Sequence, residues 1–159
     1  MALLSCVLAA APATTQPKIE LNTSAATPRD VEDTTAKAIV RDYGSAWSTL
    51  SRALAEDRAD LLGSAFVGVA QEKLAQKIAQ QKAAGLRTRY LDRGHQLDAV
   101  FYSPEGSAMQ LRDTAQMEIQ YLDGNNVVAR ENVTAHYLVL MTVAEDRWKV
   151  RVIEAVPGR

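Results

Sequence analysis

Cysteine occurs once, at Cys6, which excludes a disulfide framework and a thiolate metal site. Phosphate-cradling Gly-Xaa-Gly loops are absent as well. Histidine appears only as His95 and His136, and no His, Asp and Glu group has metal-ligand spacing. Asp57 with Asp60 suits a first helical turn, and Asp92 with His95 is a pair only. Ser45, Ser48 and Ser51 sit at helical positions without the strand-turn-helix context of a nucleophile. An excess of one charge is missing too: the net charge is -1, and no basic stripe interleaved with aromatics appears, which excludes non-specific nucleic-acid binding. The apolar run near the N-terminus is too short to span a bilayer as a helix.

What is present suffices for one domain. The chain has 159 residues, 47% of them hydrophobic, enough for a core of ordinary size. Its organising stretch is Arg87 to Val156, which alternates apolar and polar residues in four strands of an antiparallel meander. The second of these strands is the clearest, with Met109, Leu111, Ala115, Met117, Ile119 and Tyr121 on one face. Asp113 interrupts that face. In the third strand Val133, Ala135, Tyr137, Val139, Met141 and Val143 point inward, and His136 falls on the polar side, in solvent. The fourth turns Trp148, Val150 and Val152 inward and Arg147, Lys149 and Arg151 outward. In the first, Leu91, Leu97, Ala99 and Phe101 share a side with His95.

Turn chemistry sets the register. Pro104-Glu105-Gly106 suits a three-residue hairpin loop, which places Phe101 opposite Met109, Ala99 opposite Leu111 and Leu97 opposite Asp113. His95 is then one diagonal step from Asp113. The turn at Asp123-Gly124-Asn125-Asn126 brings Tyr137 opposite or diagonal to Asp113, and that at Ala144-Glu145-Asp146-Arg147 brings Glu154 opposite Tyr137. Four polar groups, His95, Asp113, Tyr137 and Glu154, thus share one level of an apolar face.

Residues 1–13 read as a truncated secretory signal or lipoprotein leader, since Ala2 to Ala13 is apolar and ends in small residues. Leu3-Leu4-Ser5-Cys6 resembles a lipobox, in which Cys6 carries the lipid; an alanine-rich tail with an incidental cysteine is the alternative. Residues 14–27, rich in Thr, Ala and Pro, read as a flexible linker, and 28–156 as the domain. Thr27-Pro28 with Asp30 predicts the start of a long amphipathic helix running to near Glu56, with Tyr43, Trp47 and Leu50 on its apolar side. A short helix from Asp57 follows, then a third from about Val69 to Ala84, stopped by Gly85.

This α+β order, three helices followed by a curved four-stranded antiparallel meander closing in Asp146-Arg147-Trp148-Lys149-Val150, resembles the nuclear transport factor 2-like superfamily over Pro28 to Val156. That cone-shaped fold includes ketosteroid isomerases, SnoaL-like cyclases and scytalone dehydratase. The last two strands also resemble the intermembrane-space domain of plastid-division proteins. The resemblance implies a pocket at the open end of the cone and, in its enzymes, proton abstraction, dehydration or cyclisation without a cofactor.

Two functions are therefore expected. One is a non-catalytic, extracytoplasmic binding or interaction module, periplasmic or lipid-anchored. Its contact surface is the outer-face patch of Leu138, Leu140 and Ile153, and its partner a second copy, as sheet-to-sheet dimers of the fold imply, or an envelope protein. The other is a cofactor-independent lyase or isomerase acting on a small apolar ligand, with Asp113 as general base, His95 tuning it and Tyr137 donating to the oxyanion. A third origin, an accessory domain of a larger envelope protein, is compatible with the first. A sealed polar level distinguishes the module; an open cavity at Asp113 distinguishes the enzyme.

Overall fold

The computed structural model describes residues 17–158; the leader and Cys6 lie outside them. Five strands form one mixed sheet in the order β1 (Lys18–Asn22), β2 (Leu86–Tyr102), β3 (Ala108–Asp123), β4 (Asn126–Ala144) and β5 (Arg147–Val156). Two α-helices, α1 (Asp33–Glu56) and α2 (Gly68–Ala84), pack against it, with a 3-10 helix over Ala59–Ser64 between them. The four-strand meander is present as β2 to β5, and β1 is an addition to it. Lys-Ile-Glu-Leu-Asn, expected within the linker, pairs parallel with Gly94 to Asp98 of β2. Ile19 and Leu21 pack against the core from this strand, the alternation of a half-buried edge.

The long helix begins later than Thr27. The Thr27 carbonyl instead accepts the Tyr102 N–H at 2.9 Å, and Pro28 forms a bridge to Tyr102, which docks this segment onto the end of β2. The helix ends as expected at Glu56, where Asp57 adopts φ 54° as a left-handed cap. The turn expected to open a second α-helix is therefore a break, and the 3-10 helix follows it. Gly85, at φ 71°, stops α2.

Four bulges shape the sheet: one at Val128 of β4, between the pairs Tyr121 with Ala129 and Leu122 with Val127, and three others, each of which reverses which face the following residues occupy. The first, between Asp92 and Gly94 of β2, leaves Leu91 41% exposed and buries Tyr90. The second, between Ala99 and Phe101, exposes Phe101 and turns Tyr102 inward opposite Met109. The third lies in β5, where Met141 pairs with Val150 but Leu140 with Val152, so that Arg151 is the extra residue. The loop Ser103–Ser107 is longer than the expected turn, although Gly106 does take its positive φ of 75°. Glu145 and Asp146, at φ 54° and 62°, form the tight turn between β4 and β5. Val143 beside this turn is exposed, and Lys149 is buried, its ammonium held by the Gly63 carbonyl at 3.0 Å and by Glu145 at 2.8 Å.

The core fills the space between α1 and the concave face of the sheet. Ile39, Tyr43, Ala46, Leu50, Ala53 and Leu54 of α1 meet Leu97, Ala99, Met109, Leu111, Val139 and Met141. Phe66 enters from the 3-10 side, and the segment around it covers the edge of β5, with Val67 N–H to Val150 O and Val150 N–H to Ala65 O. Asp42, buried on α1, ties the helix to the start of β5: it accepts the Trp148 N–H at 3.0 Å and pairs with Arg41 at 2.8 Å. Burial works against its charge, but Arg41 and the Trp148 amide more than offset this and hold its carboxyl below the usual range.

Removing that carboxylate orphans the Trp148 N–H. Asp42→Ala is expected to lower stability by about 1–3 kcal/mol, read as a lower urea midpoint at unchanged slope. Arg41→Ala, at an exposed position, is expected to cost no more than about 1 kcal/mol.

Candidate functional site

The polar level expected from the alternation exists in altered composition. Leu97 pairs with Asp113 and His95 with Ala115, so His95 and Asp113 are diagonal neighbours as the turn implied. Their side chains have no exposure. His95 Nδ1 lies 2.9 Å from Asp113 Oδ2 and 3.1 Å from Oδ1, and His95 Nε2 lies 2.9 Å from Asp92 Oδ2. Both ring nitrogens thus face carboxylates, the setting in which each carries a proton. Desolvation lowers the pKa of the imidazole, but the bonds to Asp113 and Asp92 overcome it and raise it from 6.5 to about 9. At neutral pH the ring is a buried imidazolium.

Tyr137 does not complete this group. Its backbone pairs with Asp113, but its ring packs on Trp47 at 5.5 Å, and among the described residues it makes no hydrogen bond to the carboxylate. Burial first, then the nearby Tyr90 and Asp113, push its hydroxyl up to about 12. The phenol that does serve Asp113 comes from α1: Tyr43 donates to Asp113 Oδ2 at 2.7 Å. Burial, and then the Asp113 charge, push the Tyr43 pKa well above its ordinary value, so it stays a neutral donor. The Trp47 indole N–H opposes that push as a weak donor, yet falls short of hydrogen-bond geometry with any atom. Its ring covers His95 at 4.8 Å. Tyr43 carried a readable signal, being the hydroxyl on an otherwise apolar helix stripe opposite an acid in an apolar strand.

Glu154 lies elsewhere. The β5 bulge sets Ala155 opposite Tyr137 and Glu154 opposite Leu138, where Glu154 pairs with Lys73 at 3.0 Å on the surface. The same slip turns Ile153 inward, opposite Val139 and against the core, so it leaves the outer patch with Leu138 and Leu140. Val152, paired with Leu140, takes its place. His136 is half-buried rather than in solvent: its Nδ1 lies 3.2 Å from Thr114 Oγ1, and Gly158 packs against its ring.

Chemically, the level is closed. Both Asp113 oxygens face protein donors, and its carboxylate has no contact with solvent. An outer hollow of about 590 Å³ has Asp113 among its lining residues, although the Asp113 side chain itself has no exposure. Among the described residues, no group of three His, Cys, Asp or Glu side chains is arranged to hold a metal ion.

No family model matches the sequence, and no curated protein matches it. Among solved structures, the chain is similar to the intermembrane space region of the chloroplast protein ARC6, with 19% identity, a TM-score of 0.67, and coverage of 82% of this chain and 100% of that one. It is also similar to a putative dehydratase of the NTF2-like family from Streptomyces avermitilis, at 12% identity and TM-score 0.54 over 80% of this chain and 99% of that one. A putative scytalone dehydratase from Novosphingobium aromaticivorans aligns at 12% identity and TM-score 0.52, over 77% and 83% of the two chains. The chain has a nuclear transport factor 2-like fold.

The His95 ion pair makes stability depend on pH. A pKa raised from 6.5 in the unfolded chain to about 9 in the folded one stabilises fully below 6.5, and this is lost as pH rises through about 9. The loss amounts to at most about 3 kcal/mol. Urea midpoints are expected to fall between pH 6.5 and pH 9.5, and His95→Gln to flatten that fall; equal slopes in both proteins would contradict the pairing.

Proposed function

We propose that this chain is a non-catalytic binding module, extracytoplasmic, that associates through the outer face of its sheet. The observation that carries this reading is the closure of the polar level. A general base must reach the proton that it removes, whereas Asp113 is held by His95 and Tyr43 with no exposure. The group is better matched to joining α1 to the sheet than to turnover.

Leu138, Leu140 and Val152 provide the apolar part of the contact surface on β4 and β5, half-buried beside polar Gln110 and exposed Arg112. Similarity to an intermembrane space region supports placement outside the cytoplasm, as does the leader-like composition of residues 2–13. The occupant is a second copy of the chain, with an envelope protein as the other partner.

A second reading, a cofactor-independent lyase or isomerase with Asp113 as base, is favoured by one observation: an acid, an imidazolium and a phenol do converge. It requires Tyr43 to be displaced by substrate, and any turnover should then vanish in Asp113→Asn.

Sedimentation of the full chain tests the first reading. A dimer is expected that dissociates at least about tenfold more readily in Leu138→Glu/Leu140→Glu, with the circular dichroism of the parent retained. A parent that stays monomeric at every concentration, or a variant as dimeric as the parent, would remove the sheet face from the account.

A further inference from the structure

The stripe Ser48, Ser51, Arg52 and Ala55 on α1 has spacings of three, four and seven residues from Ser48, which sets these side chains on one helix face next to Trp47. That face looks across at the first half of β2. Strand β1 pairs with β2 only from Gly94 onward, so among the described residues the side of Leu86–Arg93 away from β3 has no strand beside it. The result is a groove of about 740 Å³ with Pro17 in its lining. Its volume is that of a small-molecule site.

Its lining is apolar and positively charged. Trp47 and Tyr90, rings 6.3 Å apart and nearly buried, supply the floor, and Leu91 projects at the rim with 41% exposure. The bulge after Asp92 is what turns Leu91 outward. Two arginines stand over this surface. Arg52 has no ion-pair or hydrogen-bond partner among the described residues, and Arg89 touches only the Gln120 amide oxygen, at 3.4 Å. The carboxylate in the lining, Asp92, is already engaged by His95 Nε2 at 2.9 Å and the Gly94 N–H at 3.0 Å. Nothing in the groove therefore neutralises the guanidinium groups.

We propose that this groove binds a small molecule with a flat or extended apolar body and a carboxylate, the body over Trp47, Tyr90 and Leu91 and the carboxylate on Arg52 and Arg89. Planar guanidinium groups match carboxylates in geometry as well as charge. Residues 1–16 contain no Asp or Glu, so the chain's own N-terminal segment does not supply the complementary charge. The site shares Trp47 and Asp92 with the surroundings of His95 but does not include Asp113, and it is distinct from the sheet face, so it stands or falls independently of the dimer.

The test uses the full chain and the fluorescent probe 1-anilinonaphthalene-8-sulfonate, an apolar aromatic anion. Saturable binding at one probe per chain is expected. Arg52→Glu/Arg89→Glu should weaken it at least about tenfold, and Arg52→Lys/Arg89→Lys should keep it within about threefold of the parent. Both residues are exposed, so the reversal leaves the core intact. Decanoate should displace the probe and decanol should not. No saturable binding, a charge-reversed variant that binds within about twofold of the parent, or equal displacement by decanol and decanoate would overturn the proposal.

Discussion

The structure depends on one buried charge. His95, an imidazolium between Asp113 and Asp92, lies at the centre of the interface between α1 and the sheet, with Tyr43 bonded to the far carboxylate and Trp47 laid over the ring. Charges removed from water are tolerated only when their hydrogen-bonding groups are matched, and here both imidazole nitrogens and both oxygens of Asp113 are. The helix cannot shift along the sheet without breaking the Tyr43 bond, so the network fixes one arrangement of an otherwise greasy interface. Its worth is specificity as much as stability, since an apolar replacement of similar volume would fill the same space.

Closure of that level supports the non-catalytic reading proposed for this chain. The same cone architecture is seen in proteins described as putative dehydratases and in an intermembrane space region, so architecture alone leaves function open. In this chain Tyr43 and Trp47, both from α1, pack against Asp113 and His95 and fill the space beside them. On the proposed reading, binding falls instead to the sheet's convex face and to the groove beside the first half of β2.

Much of this was legible in the sequence because strand alternation has a strict period. Asp113 stands alone among Leu111, Ala115 and Met117, and the three-residue turn expected at Pro104-Glu105-Gly106 places Leu97 across from it and His95 on the diagonal because the longer loop and the bulge after Ala99 cancel. Where the reading failed, it failed at the bulges. A single extra residue at Arg151 exchanges the faces of Ile153 and Glu154, and one after Asp92 exchanges Leu91 with Tyr90. Gly94, with φ 150°, was a signal for the latter; Arg151 offers none. Strand β1 was hidden for another reason: its Ile19 and Leu21 alternate properly, but the surrounding Thr, Ala and Pro give the composition of a linker. Tyr43 belongs to a helix stripe that packing alone accounts for, which masks the hydroxyl it brings to Asp113.

The central claim is that His95 is charged and enclosed in the folded protein. Nitrogen-15 chemical shifts of its imidazole, assigned by their loss in His95→Gln, test this directly. The account predicts two protonated nitrogens at pH 7.5, with titration delayed to about pH 9. A ring that is neutral at pH 7.5 and titrates near 6.5 would contradict it, and with it the view of this level as a sealed brace.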